Sequence, residues 1–105
     1  MPVPSLTPEQ RADALTRATA ARRHRAETKH RLKRGSARIG EVIADGGRDA
    51  AIAKLKVVEL LESMPGIGQV RAVQIMDELG IARSRRVRGL GEHQVRALVA
   101  RFETA

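Results

Sequence analysis

The sequence predicts an all-α protein of five or six helices, and three observations carry that expectation. Apolar residues recur at helical spacing in the central and C-terminal segments, as Ile52, Leu55, Val58 and Leu61 and again as Val95, Leu98, Val99 and Phe102. No segment alternates apolar and polar residues over the length of a strand. Helix start and stop signals bracket the longest segment, Thr7-Pro8-Glu9-Gln10 at one end and Gly35 at the other.

The chain begins with an extended lead over residues 1–6 that carries Pro2 and Pro4. Thr7 is the expected N-cap, Pro8 occupies N1, and Gln10 completes a capping box from N3. The helix then runs to Lys33 or Arg34. Alanine stands at 12, 14, 18, 20, 21 and 26, and the only large apolar residues are Leu15 and Leu32. Such a stretch has high helix propensity and little to bury, so its first half is expected to stand away from the core.

The charge of this helix is its informative property. Ten Lys or Arg residues lie between Arg11 and Arg38, among them Arg22, Arg23, Arg25, Lys29, Arg31, Lys33 and Arg34. Only Asp13 and Glu27 oppose them, a surplus of eight that equals the net charge of +8 for all 105 residues. Mixed-sign helices are usually solvated faces, but a one-sign block marks an interaction segment. Arg22-Arg23-His24-Arg25 surrounds the helix instead of forming a seam, which suits several phosphates better than one partner helix. His24 and His30 lie six apart among cations, a poor spacing for a metal.

Ser36 is the expected cap of a short second helix with Ile39, Val42 and Ile43 on one side, closed by Asp45-Gly46-Gly47. A third helical segment covers about residues 48–63. It is apolar on most sides, as a central core helix must be. Val57 can break it, and Lys54 and Lys56 emerge from its edge.

Met64-Pro65-Gly66-Ile67-Gly68 follows as a tight turn. Pro65 cannot continue a helix, Gly66 and Gly68 supply backbone freedom, and Ile67 points inward as an anchor. A helix starts at Gly68 with Val70, Val73, Met76 and Leu79 on its apolar face; Gly80 and Ile81 close it as a Schellman end. Free N–H groups at Gly66, Gly68 and Val70, added to the helix dipole, offer a site for a phosphodiester. A single G-x-G is weak, and in most proteins it makes only a bend. Here it is followed by a loop with Arg83, Ser84, Arg85, Arg86 and Arg88, by a second turn, Gly89-Leu90-Gly91, and by a last helix. The repeated device strengthens the reading.

A net charge of +8 favours polyanions, nucleic acid first and acidic membrane surface second. With no cysteine there are no disulfides and no thiolate metal sites. No apolar run approaches the roughly 20 residues of a membrane span, and the first residues do not resemble a secretory signal, so an intracellular protein is expected. Phe102 is the only aromatic residue, whereas single-strand binders stack bases on aromatic platforms. Backbone binding to a duplex is the simpler reading, although charge alone does not separate DNA from RNA.

The run Leu60-Leu61-Glu62-Ser63-Met64-Pro65-Gly66-Ile67-Gly68, with Arg71-Ala72 and Ile75-Met76, resembles the actinobacterial integration host factor family. The stretch from Leu79-Gly80-Ile81 through Arg83-Ser84-Arg85-Arg86-Val87-Arg88 to Gly89-Leu90-Gly91 strengthens the match. The resemblance spans nearly the whole chain, most specifically residues 54–91 and more loosely residues 1–30. It implies a helix–two-turns–helix region over about residues 50–103, within a helical core of residues 36–105 that follows the lead and basic helix of residues 1–35. It implies a cytoplasmic, nucleoid-associated protein that binds double-stranded DNA with little sequence preference. Such a protein bends or compacts the duplex and assists phage site-specific integration beside a phage integrase. By the same resemblance Pro65, Gly66, Ile67 and Gly68 contact phosphate, and Arg85, Arg86 and Arg88 contact the duplex. A monomer in solution and no cofactor are expected.

Two other classes compete. The same turns on a folded RNA would make a ribosome-associated or other RNA-binding protein. An enzyme is the weaker case. Formamidopyrimidine glycosylases, which share the helix–two-turns–helix, use an N-terminal proline followed by a catalytic Glu. Pro2 is followed by Val3, and the chain is too short for their catalytic domain. No nucleophile–base pair, paired carboxylates or metal cluster stands out elsewhere, and His93 beside Glu92 reads as a surface residue.

Overall fold

The computed structural model describes residues 5–103. Pro2, Val3 and Pro4 of the lead lie outside the described residues. Six α-helices follow in order: α1 (Pro8–Lys33), α2 (Ile39–Asp45), α3 (Ala50–Ala53), α4 (Val57–Glu62), α5 (Gln69–Glu78) and α6 (Glu92–Glu103), with a 3₁₀ turn, Val87–Gly89, before the last. Among the described residues there is no strand, only an isolated antiparallel bridge between Lys56 and Arg86.

The start of α1 is the capping box that its sequence dictates. Thr7 Oγ1 accepts from the Gln10 N–H at 3.1 Å, and Gln10 Oε1 accepts from the Thr7 N–H at 2.9 Å. His30, Arg31 and Lys33 fill the last turn, where the helix dipole favours cations. Only Thr28 and Leu32 are buried, and Leu15 is 65% exposed. The first half therefore extends away from the core, which gives the molecule a longest dimension of 52 Å.

Helices α1 and α5 end alike. The Ser36 N–H donates to Arg31 O at 2.9 Å and the Gly35 N–H to Leu32 O at 3.0 Å; Ile81 and Gly80 repeat the pattern onto Met76 O and Asp77 O. Gly35 and Gly80 have φ of 75° and 68°, the left-handed residue that a Schellman end needs.

One expectation is corrected and one break is located. Ser36 does not cap α2. It is used by the end of α1, where its hydroxyl donates to Arg31 O, and Arg38 holds the N-cap position without a side-chain bond. The segment 48–63 breaks where Val57 allows it: Asp49 caps α3, Lys56 is extended, and α4 starts at Val57. The break exists because the backbone at 55–57 bonds to the arginine loop: the Val57 N–H donates to Arg85 O at 3.0 Å, and Leu55 O accepts from the Val87 N–H at 2.9 Å.

The core is drawn from every helix. Leu32, Ile39, Val42, Ile52, Leu55, Val57, Leu60, Leu61, Ile75, Met76 and Leu98 are fully enclosed. Each contributes about 1.5–3 kcal/mol of burial. Helix α4 packs on α5, and α2 on α6, where the Gly40 N–H donates to Glu103 Oε2 at 2.9 Å. No helix among the described residues is long and apolar enough to cross a membrane.

Candidate nucleic-acid interface

The Gly66 turn is built by the end of one helix and the start of the next. Helix α4 stops at its C-cap Ser63, ahead of Pro65. The Met64 N–H donates to Leu61 O and the Ile67 N–H to Met64 O, which folds the chain back. Gly66 sits at φ 77°, where an L side chain is strained. Met64 and Ile67 are partly buried against the core and anchor the turn, as expected of Ile67.

Gly68 is the N-cap of α5 and has no side chain with which to cap it. The first bond of the helix runs from the Ala72 N–H to Gly68 O at 2.9 Å. The N–H groups of Gly66, Gly68, Gln69, Val70 and Arg71 have no protein partner, and all five residues are exposed. They surround the positive end of the α5 dipole. Sequence reasoning found three of these donors and missed Gln69 and Arg71, which follow from the helix start itself.

Val70 departs from its expected place. It is 73% exposed, and the buried face of α5 is Ala72, Ile75 and Met76, with Val73 and Leu79 at its margin. The i, i+3 count from Val70 reaches the buried Met76 and the core-packed Leu79 but misses Ala72 and Ile75, which are buried beside them.

The arginine loop is fastened at both ends by the buried Ile81 and Val87, and in its middle by the bonds to residues 55–57. Its five predicted residues are not equivalent. Arg83 Nη2 lies 3.4 Å from Asp77 Oδ2. Arg85 is half-buried and donates to Gly89 O at 2.7 Å. Arg86 donates to Lys54 O at 2.6 Å. Ser84 and Arg88 are exposed, and their side chains hold no partner. The second glycine turn is not a copy of the first. The Arg85 side chain lies over Gly89, the Gly91 N–H donates to Gln94 Oε1 at 3.0 Å, and Gln94 Nε2 donates to Gly80 O at 3.0 Å. The N–H groups of Gly89, Leu90 and Gly91 are thus used inside the protein, whereas those of Gly66 and Gly68 are not.

The basic helix meets the body along a groove of about 470 Å³. Arg22, Arg25 and Lys29 form one wall; Lys54, Lys56, Glu59 and Arg86 form the other. Residues from three distant stretches thus converge, which no local pattern announces. Arg17 lines the neighbouring cleft beside Arg22, Arg25 and Lys54. Lys33 donates to Glu62 O at 3.1 Å and helps close α4. Arg23, Arg31 and Arg34 are exposed outside the groove. His24, weighed against a metal role, pairs with Asp49, and no group of three metal-ligating side chains occurs among the described residues. His93 is exposed, with its ring beside Arg96.

Comparison with known proteins agrees with this architecture. Residues 32–102 match the S13-like H2TH domain. The chain is 58% identical over 97% of its length to the integration host factor of Streptomyces coelicolor, of which it covers 95%. It is 51% identical over its full length to the integration host factor of Mycobacterium tuberculosis, of which it covers 100%. The structure of sIHF bound to an 8-bp palindromic DNA is similar with a TM-score of 0.82 at 55% identity, covering 83% of this chain and 98% of that one. The chain therefore belongs to the integration host factor family of actinobacteria, built on the S13-like H2TH domain.

Proposed function

We propose that this chain is a nucleoid-associated protein that binds double-stranded DNA through its backbone, largely without regard to sequence. The uncapped start of α5 carries the reading: five exposed N–H donors gather at the positive end of a helix, with glycine at 66 and 68 leaving room for a phosphodiester. A relative of the same fold is known bound to DNA. Pro65, Gly66, Ile67, Gly68 and Val70 form the phosphate turn. Arg88 reaches the duplex directly, and Arg83, Arg85 and Arg86 do so from a loop that their own bonds stiffen.

The basic helix supplies a second surface, through Arg22, Arg25, Lys29, Lys54 and Lys56 at the groove and Arg23, Arg31, Lys33 and Arg34 on and around its C-terminal half. Two basic surfaces on one small monomer bend one duplex or bridge two. That is the step by which it compacts DNA in the cytoplasmic nucleoid and shapes a site for a phage integrase. In this reading residues 36–105 are the grip and residues 1–35 the arm, and no step is catalytic.

A gel-shift competition among random duplex DNA, hairpin RNA and single-stranded DNA at fixed salt tests the reading. Duplex DNA is expected to compete best, with affinity falling steeply with salt at a log–log slope of roughly −0.9 per phosphate neutralised. A preference for the RNA hairpin would overturn it in favour of an RNA-binding role.

A further inference from the structure

Six cations surround the groove beside α1, and none of them meets a carboxylate. The ion pairs among the described residues are His24–Asp49, Arg48–Asp45, Arg83–Asp77 and Arg101–Glu78. Arg22, Arg25, Lys29, Lys54 and Lys56 donate no side-chain hydrogen bond to the protein, and Arg86 meets only the Lys54 carbonyl. A single acid, Glu59, shares the walls. Like charges gathered around a cavity repel one another, and an anion between them reverses the sign of that interaction.

The shape of the groove narrows the anion. Its volume of about 470 Å³ lies within the range of small-ligand sites. Its cations stand on both walls of an open groove, from α1, from the α3–α4 link and from the arginine loop. A slender flexible anion can meet both walls at once, whereas duplex phosphates are fixed in rows along a rod, one charge per roughly 1.7 Å of axis. No aromatic ring lines the groove, since the single one, Phe102, lines another cleft. A base would find no stacking platform there. Arg86 is pre-set by its bond to Lys54 O and by the Lys56–Arg86 bridge, so part of the ordering cost of binding is already met by the fold.

We propose that this groove binds a linear inorganic polyphosphate chain, recognised by charge alone, and that its occupancy withdraws these cations from duplex DNA. The first half stands independently of the DNA reading; the second half rests on it.

Isothermal titration calorimetry of the full chain with sodium tripolyphosphate at low salt tests the site. Saturable binding with one ligand per chain is expected. Lys54→Gln/Lys56→Gln is expected to weaken it by about tenfold or more, a loss of the size that several charge-assisted contacts give. Arg11→Gln/Arg38→Gln makes the same charge change on exposed residues outside the groove and is expected to leave the affinity nearly unchanged. Adenosine triphosphate is expected to bind no more tightly than tripolyphosphate. Equal weakening by the two double variants, absence of saturable binding, or clearly tighter binding of the nucleotide would each overturn the proposal. Circular dichroism of both variants confirms that each is folded. In a parallel gel shift at matched ionic strength, tripolyphosphate is expected to release a labelled duplex where sodium sulfate does not. Equal release by the two salts overturns the second half alone. A wild-type chain that binds no duplex sinks the DNA reading and leaves the calorimetric result standing.

Discussion

His24 Nε2 lies 2.6 Å from Asp49 Oδ2, and this contact ties the basic helix α1 to the start of α3. Asp49 Oδ1 accepts from the Ala51 N–H at 2.9 Å, so one carboxylate caps a helix and holds another. One turn along α1, the buried Thr28 donates its hydroxyl to His24 O at 3.0 Å, and Leu32 then enters the core. Asp49→Ala is expected to cost about 1 kcal/mol from the lost cap alone, a drop of about 4–8 °C in Tm for a domain of this size. Asp49→Asn keeps the capping oxygen and loses the ion pair, so it is expected to cost less. Urea melts of both variants check the order; an equal cost would mean that the cap contributes nothing.

The same residue predicts a pH dependence. Burial by itself pushes the Asp49 carboxyl up, but the backbone N–H groups of Ile52 and Ala51, the hydrogen bond from His24 and the His24 charge outweigh it and hold the carboxyl below its ordinary value. A carboxyl depressed in the folded state adds stability above its unfolded pKa of about 3.9, and loses it as pH falls through the lower folded value. The contribution is therefore intact at neutral pH and disappears in acid below about pH 4. Asp49→Asn removes the titrating group. Its stability difference from wild type, measured by urea melts, is expected to shrink as pH falls from about 5 to 3. A difference that stays constant over that window would contradict the assignment.

The arginine loop separates affinity from stability. Arg88 is exposed and its side chain is unpartnered, whereas Arg85 is half-buried against Gly89 O. Arg88→Ala is expected to leave the melting curve unchanged, to weaken binding to all duplex sequences alike, and to reduce the salt slope by about 1. Arg85→Ala is expected to lower both affinity and stability, since it removes a hydrogen bond from a charged donor that is worth about 1.5–3 kcal/mol. Melting curves and salt-dependent titrations on the two variants decide. A loss confined to one DNA sequence at Arg88 would contradict backbone readout.

Helix α1 divides at its first docked residues. The anchors of α1, His24, Thr28 and Leu32, all lie in its C-terminal half, and before Ala21 only Arg17 and Ala18 line the cleft against α3. Deleting residues 1–20 is expected to preserve the fold and duplex binding while reducing compaction of long DNA, because it shortens the arm and removes Arg11 and Arg17. Circular dichroism and a DNA-condensation assay on the truncated chain test this. Undiminished condensation would move the second surface wholly to residues 22–34.

Local signals in the sequence were enough for what local chemistry determines. Thr7 with Gln10, Gly80 with Ile81, and the Gly66 turn each act through residues within one turn of one another, and each is found as the pattern dictates. Misreadings arose where distant chain segments compete for the same backbone. Ser36 reads as a cap until Arg31 O is known to claim it. Residues 48–63 read as a helical segment that Val57 can break, and the break becomes definite only when Val87 and Arg85 bond to residues 55 and 57. Gly89-Leu90-Gly91 reads as a repeat of the Gly66 turn until Gln94 and Arg85 are seen to bond to it. The groove was the least legible feature, because residues 22–29, 54–59 and 86 have no sequence relationship. Only the surplus of positive charge hinted that such a site exists.

Gly66 and Gly68 give the sharpest test of the phosphate turn, because the two glycines are needed for different reasons. Gly66 has φ 77°, so alanine there is strained although nothing lies within 4 Å of the added Cβ. Gly66→Ala is expected to cost about 1–2 kcal/mol of stability. Gly68 has an ordinary extended backbone at φ −94°, and its added Cβ also meets nothing within 4 Å. The fold therefore does not demand glycine at 68. Alanine in place of an N-cap glycine costs roughly 0.5–1 kcal/mol, since glycine ranks above alanine there although neither caps with a side chain. What remains for Gly68 is close approach by a ligand: a methyl there stands beside the N–H groups of Gln69 and Val70, where a phosphate must come within about 3 Å. Gly68→Ala is expected to weaken duplex binding by about tenfold, the equivalent of one charge-assisted hydrogen bond, while the protein stays folded and its Tm falls by no more than about 8 °C. Binding titrations beside thermal melts decide the matter. If Gly68→Ala binds duplex as wild type does, the α5 start does not grip a phosphate and the contact must lie with the arginines.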